Sequence, residues 1–241
     1  MIALLTSVPF EHNFINSKLN SLESITLSTK KAIKGNYKGL PLIILAGGIG
    51  KVNAAHSATL LCEHFPLQLL INFGVGGAYP NSGLKVGEIA LANKEIYGDE
   101  GVIEPDGWYG MERIGIALIE MKGNAIFNEF LVDPDLVIKF KKDLGNKGIE
   151  AKVGPFVTLS TSSGTSKRAF ELENRFKGII CENMEGAAVA HICALYNTPF
   201  AEIRGISNIV ENRNTKKWDL RLAALNCQKA LMKELIAMIP K

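Results

Sequence analysis

The sequence is poor in cysteine, in clustered charge and in long apolar runs, and each shortage removes a class of protein. The four cysteines (Cys62, Cys181, Cys193 and Cys227) stand far apart with no C-x-x-C pair. That spacing suits neither a disulfide framework nor a clustered thiolate metal site, and leaves buried free thiols as the expected state. Formal charge is +3, and the basic residues are scattered apart from pairs such as Lys30-Lys31 and Lys216-Lys217. So weak and dispersed a field gives no footprint for nucleic acid or an acidic membrane. No run nears the roughly 18 apolar residues of a membrane span. The opening Met1-Ile2-Ala3-Leu4-Leu5 soon meets Pro9 and Glu11, too short for the core of a signal peptide. A soluble, cytoplasmic protein is expected. What is present is apolar residue type, 47% of 241 positions, enough for one substantial core and too much for a disordered chain.

Short apolar runs read as buried strands at Ile2–Val8, Leu40–Ala46, Leu67–Phe73, Glu88–Ala92, Lys152–Leu159, Gly178–Cys181 and Pro199–Ile206. Helical stretches lie between them. Lys51–Phe65 follows a glycine turn, and Asp133–Leu144 carries Asp133 as a cap with Pro134 at the first helical position. Glu185–Leu195 is alanine-rich, and Trp218–Ile239 spaces Ala224, Cys227, Leu231, Leu235 and Met238 along one face. This alternation predicts a single-domain, three-layer α/β/α sandwich around a mixed sheet, spanning residues 1–241. No Pro/Ser-rich linker divides it. The irregular, glycine-rich segment Tyr97–Gly123 reads as an excursion near a site.

Chemistry gathers just past the predicted strands, where ligands bind in open α/β sheets. Two glycine-rich turns, Gly47-Gly48-Ile49-Gly50 and Gly74-Val75-Gly76-Gly77, match neither the dinucleotide G-x-G-x-x-G nor the phosphate-cradling G-x-x-x-x-G-K-[ST]. Taken alone, each is more simply a tight structural turn. In Glu182-Asn183-Met184-Glu185-Gly186-Ala187-Ala188, two carboxylates flank a methionine where a small-residue helix begins. The plain alternative is that Glu185 only favours the helix N-terminus. Arg204-Gly205-Ile206-Ser207-Asn208 runs a strand into a polar end, where Asn208 suits an ordinary turn. Glu11 follows the first strand and could be a solvated helix starter. One sheet would bring all three segments together.

These residues resemble the nucleoside phosphorylase/nucleosidase superfamily, in the branch that contains methylthioadenosine/S-adenosylhomocysteine nucleosidases and futalosine hydrolases. The matching pieces are Glu11, residues 47–61, 71–92, 182–191 (ENMEGAAVAH) and 203–208 (IRGISN). Within the branch, residues 99–108, Ser207-Asn208 and the tail from Asn212-Arg213 to Trp218 look like futalosine hydrolase. The resemblance implies release of hypoxanthine from futalosine in menaquinone biosynthesis, without metal or organic cofactor, by a homodimer or larger homo-oligomer. It implies Glu11 as general base on water, Glu185 on the ribose hydroxyls and Met184 against the sugar. Asn208 would hold the departing base, with Ser207 orienting it. Val75 and Gly76 would line the cleft. Phe156 and the run Ser160–Thr165 would contact the purine by family position.

Residue chemistry supports two of these points. Family phosphorylases carry an arginine where Asn72 stands, and a phosphate dianion without such a cation is poorly held, so water is the expected nucleophile. Relatives acting on amino-purines keep Asp at the Asn208 position. An amide can donate to both N7 and a 6-oxo oxygen, which suits hypoxanthine. An adenine-releasing nucleosidase, expected to prefer Asp there, is the closest rival. The aryl carboxylate of futalosine calls for a cation and an aromatic ring, for which Arg113, Arg213, Trp108 and Tyr109 are candidates.

Overall fold

A computed structural model describes residues 1–121 and 123–238. The chain begins with β1 (Ile2–Thr6) and a short helix α1 (Asn13–Asn16), then the hairpin β2 (Asn20–Leu27) and β3 (Lys30–Tyr37). β4 (Leu40–Ala46), α2 (Lys51–His64), β5 (Leu69–Ala78) and β6 (Ile89–Tyr97) complete the first half. Residues 98–131 hold only small pieces: β7 (Val102–Glu104), β8 (Gly107–Tyr109), α3 (Met111–Ile114), β9 (Ile119–Met121), β10 (Asn124–Ile126) and β11 (Glu129–Leu131). The rest alternates as α4 (Pro134–Gly145), β12 (Ala151–Thr158), α5 (Ser166–Arg175), β13 (Cys181–Asn183), α6 (Gly186–Leu195), β14 (Phe200–Ile209) and α7 (Leu220–Ala237).

Ten strands make one mixed sheet in the order β11-β6-β12-β13-β5-β1-β4-β3-β2, with β14 bridging β5 and β6. β1 lies parallel between β4 and β5 and is buried on both faces, which is why its sequence is uniformly apolar. Its alternating side chains separate the layers. Ala3 and Leu5 pack with α2 and α6, while Ile2 and Leu4 pack with α1, α4 and α7. The helices on the two faces make the expected three layers around a mixed sheet.

Local sequence sets the helix starts. Asp133 accepts from the Asp135 amide at 2.9 Å ahead of Pro134, and Asp219 accepts from the Leu222 amide at 2.8 Å. The last helix therefore begins after Asp219 and not at Trp218; its expected end at Ile239 lies outside the described residues. Two expected turns are strand instead. β5 runs through Gly74–Gly77, and β14 runs through Asn208 with a register shift between Ile206 and Asn208. The bulge re-aims the strand's polar end. Gly74 stays in the strand because a Cβ there would collide with the Glu11 carboxylate, at a φ of +156°. Two small hairpins fall within residues 98–126, and none of the described residues there lines the cleft described next.

Candidate active site

A cleft of about 420 Å³ opens over the ends of β1, β5, β13 and β14. Glu11, Val75, Gly76, Met184, Glu185, Ser207 and Asn208 all line it, so seven of the eight expected site residues share one wall. Phe156 does not. It is wholly buried in the core with Cys181, Ala187 and Ile206, because its register partner on β13 is Cys181, one residue before the first cleft-lining position, Glu182. The loop after β12 reaches the cleft in its place, through Ser162 and Ser163. A larger hollow of about 640 Å³ elsewhere is lined by residues such as Phe127, Phe130 and Phe200, and its carboxylates (Glu112, Glu129, Asp133) are exposed. Of these two hollows, the smaller is the one lined by buried charged groups: Glu11, Glu182, Glu185 and Arg204.

At one end stand Glu11, Glu185 and Arg204. Glu11 closes a short turn, Pro9–Glu11, and folds back to accept from the Ser7 and Val8 amides at 3.0 and 3.1 Å. Its other oxygen accepts from the Val75 amide at 2.9 Å. The carboxyl is 2% exposed, and burial pushes its pKa up against the pull of Arg204 and these amides. Glu185 is the residue just before α6, with φ of −133° and no capping bond from its own side chain. Its carboxylate crosses to the Gly50 amide at 2.9 Å and faces Arg204 at 3.7 Å. Glu185 thus stands at the helix start, and its carboxylate also links the turn before α2 to Arg204 on β14.

Arg204, at 1% exposure, donates through Nε to Glu202 at 2.8 Å and through Nη1 to the Val75 carbonyl at 3.1 Å. Its Nη2 has no hydrogen-bond partner among the described residues. The residue sits in a segment singled out in the sequence, yet its role was legible only as an arginine inside an otherwise apolar run. Such a charge needs buried partners, and Glu185 and Glu202 supply them. The cation is therefore already neutralised, and Asn72 is turned away to Glu202 at 3.2 Å.

At the other end, the Ser207 hydroxyl lies 2.8 Å from Asn208 Oδ1, and Asn208 Nδ2 donates to the Ile209 carbonyl at 3.2 Å. With Oδ1 held by the hydroxyl, the second amide hydrogen is free for the cleft. Across Gly77 lies Glu182: a point at the Gly77 Cβ position is 3.2 Å from Asn208 Nδ2 and 3.4 Å from Glu182 Cγ. Glu182 accepts from the Ser163 amide at 2.9 Å and from the Tyr79 hydroxyl at 3.3 Å, and burial raises its pKa. Its place beside Met184 was visible in the sequence, but not that it faces Asn208. Arg213, its guanidinium 4.5 Å from the Trp218 ring, also lines the cleft. The other candidates for a substrate carboxylate lie elsewhere: Arg113 forks onto Glu104 at 2.6 and 2.7 Å beside Tyr109, and Trp108 packs on Phe176.

Among the described residues, no group of three His, Cys, Asp or Glu side chains is placed to hold a metal, and no helix is long and apolar enough to cross a membrane. The fold has counterparts among known proteins. Residues 1–237 match the Phosphorylase superfamily, and the chain belongs to that family. It is 28% identical to a 5′-methylthioadenosine/S-adenosylhomocysteine nucleosidase of Bacillus subtilis over 96% of both chains. It is 34% identical to a futalosine hydrolase of Thermus thermophilus over 75% of both. The S-adenosylhomocysteine nucleosidase of Streptococcus pyogenes superposes with a TM-score of 0.85, at 24% identity, over 99% of this chain and 97% of that one. Within the superfamily the chain is a purine nucleosidase, a hydrolase acting on N-glycosyl bonds.

Proposed function

We propose that this enzyme hydrolyses the N-glycosidic bond of a 6-oxopurine nucleoside, futalosine, releasing hypoxanthine. The observation that carries the reading is the pairing of Asn208 and Glu182 across Gly77. Hypoxanthine presents acceptors at N7 and O6 and a donor at N1–H. The one free amide hydrogen of Asn208 donates into the N7–O6 edge, and the Glu182 carboxylate accepts from N1–H. Adenine reverses the pattern, with a 6-amino donor facing the amide and a bare N1 facing the carboxylate. Each such mismatch costs about 1–3 kcal/mol. The 34% identity to a futalosine hydrolase points the same way.

In this mechanism Glu11 takes a proton from water as its oxygen bonds to the anomeric carbon. The bond from that carbon to N9 breaks, and its electron pair leaves with the base, stabilised through N7 by Asn208. Because an amide has no proton to give, the base is protonated from solvent. Glu185 accepts from the ribose hydroxyls and offsets the cationic sugar, Met184 packs on the ring, and the free Nη2 of Arg204 donates to the attacking water. Water fits better than phosphate, since Arg204 is already balanced by Glu202 and Glu185. Arg213 stacked on Trp218 is the cation–aromatic pair for the substrate's aryl carboxylate. A homodimer or larger homo-oligomer belongs to the same reading and is tested by sedimentation.

The deciding experiment offers futalosine, methylthioadenosine and aminodeoxyfutalosine to purified enzyme and follows free base by chromatography. Hypoxanthine release from futalosine is expected to have the highest kcat/KM. Faster release of adenine would overturn the assignment in favour of the methylthioadenosine/S-adenosylhomocysteine reaction, the activity named for the Bacillus relative.

A further inference from the structure

Behind the sugar end of the cleft lies a second pair of carboxyls that the reaction does not touch. Glu95 on β6 is 0% exposed and Glu202 on β14 is 2% exposed. A Cβ added at Gly186 would fall onto both carboxyl groups at once, so they meet in one small space under the start of α6. Glu95 accepts from Asn183 Nδ2 at 2.6 Å and from the Thr158 hydroxyl at 2.8 Å, each on a different oxygen. Glu202 Oε1 accepts from Arg204 Nε and Asn72 Nδ2, while its Oε2 has no donor among the described residues. Two carboxylates in contact at 0% and 2% exposure cannot both be ionised, and the one unpartnered oxygen needs an O–H.

We propose that Glu95 and Glu202 share one proton and act as a positioning pair. Glu95, as the neutral acid, donates to Glu202 Oε2 and holds Glu202 as the anionic anchor of Arg204. Arg204 in turn faces Glu185 and Glu11, so the pair sets how much positive charge those two carboxylates feel. The chain of contacts is continuous, since Asn183, which donates to Glu95, also accepts from the Glu185 and Gly186 amides at 2.9 and 2.6 Å. Burial raises both carboxyls of the pair, Glu95 the more strongly. The other titratable groups facing the cluster are Cys181, Tyr97 and Cys227, all kept neutral by burial that raises their pKa.

The test uses the intact enzyme and reads the pH profile of kcat/KM. It rests on Glu11 as the base but not on which purine is released. Glu95→Gln keeps a neutral donor toward Glu202, so the acid limb of the profile stays in place, while the acceptor lost to Asn183 shows in stability and not in that limb. Glu202→Gln removes an anion from Arg204, which then pulls harder on the Glu11 proton, so the acid limb moves down by about one pH unit. A merely structural role would lower the folded fraction without moving that limb. The proposal is overturned if Glu95→Gln moves the limb as Glu202→Gln does, or if Glu202→Gln leaves it in place. Infrared spectra of the parent at mildly alkaline pH decide the matter if Glu202→Gln does not fold. A protonated carboxylic acid band that Glu95→Gln abolishes is expected, and its absence from the parent overturns the shared proton whatever the substrate proves to be.

Discussion

The two ends of the cleft solve different problems with different chemistry. The sugar end is a dense charge cluster: Glu11, Glu185 and Arg204 are all buried, and each carboxylate accepts from a backbone amide of a distant segment, Val75 for Glu11 and Gly50 for Glu185. The base end is lightly built, with one amide steadied by a neighbouring hydroxyl and one carboxylate across from it. A cluster of opposed charges stabilises a developing cation for any nucleoside that reaches it. A donor facing an acceptor, by contrast, distinguishes one purine edge from another. Under the proposed reaction, its type would be set at one end and substrate choice at the other.

Breaking the sugar end should cost most. Glu11→Gln is expected to lower kcat by roughly 10²–10⁴-fold with every nucleoside, measured by base release, because it removes the base that activates water. If the loss fell on one substrate only, the division between the two ends would fail. Changing the base end should redistribute activity instead. Asn208→Asp and Glu182→Gln are each expected to shift the futalosine-to-methylthioadenosine ratio of kcat/KM by roughly tenfold toward the amino-purine. An unchanged ratio would remove that residue from base recognition.

Acidity should sharpen the contrast further. Glu11 must be ionised to act, and burial raises its pKa, so kcat/KM should fall with falling pH earlier than an ordinary glutamate near 4.5 would dictate. A limb that fell at or below that value would show that Glu11 is not the titrating base. The smallest effect concerns stability. His12, next in the chain and 3.0 Å from the Thr6 hydroxyl, is lowered by burial from 6.5 to about 4. Its contribution to stability is complete above the ordinary histidine value and is lost as pH falls between those two figures. The gap in unfolding midpoint between the parent and His12→Gln should therefore narrow on acidification.

What the sequence disclosed follows from how local each feature is. β4 occupies the expected Leu40–Ala46, and α4 starts where Asp133 and Pro134 place it, because apolar runs and caps are written in neighbouring residues. The hairpin of β2 and β3 escaped notice since much of it is exposed and polar, and α5 is mostly charged. β6 was read as ending at Ala92, yet it continues through Lys94 and Glu95. A buried glutamate looks like a solvated one until β12, β13 and β14 bring its partners from distant parts of the chain. Most of the cleft's residues were legible through short motifs, while Phe156 was misplaced by a register no motif encodes.

β5 also works as a ruler. Glu11 is anchored at Val75, and the amide and carboxylate that face each other do so at Gly77, two residues on along the same strand. Two steps of an extended chain span about 6–7 Å, a distance the sheet will not stretch. The gap from the point of attack to the far rim of the nucleobase is therefore metered by backbone alone. If Asn208 and Glu182 hold the base as proposed, exchanging their side chains changes which edge is read and leaves that spacing as it is.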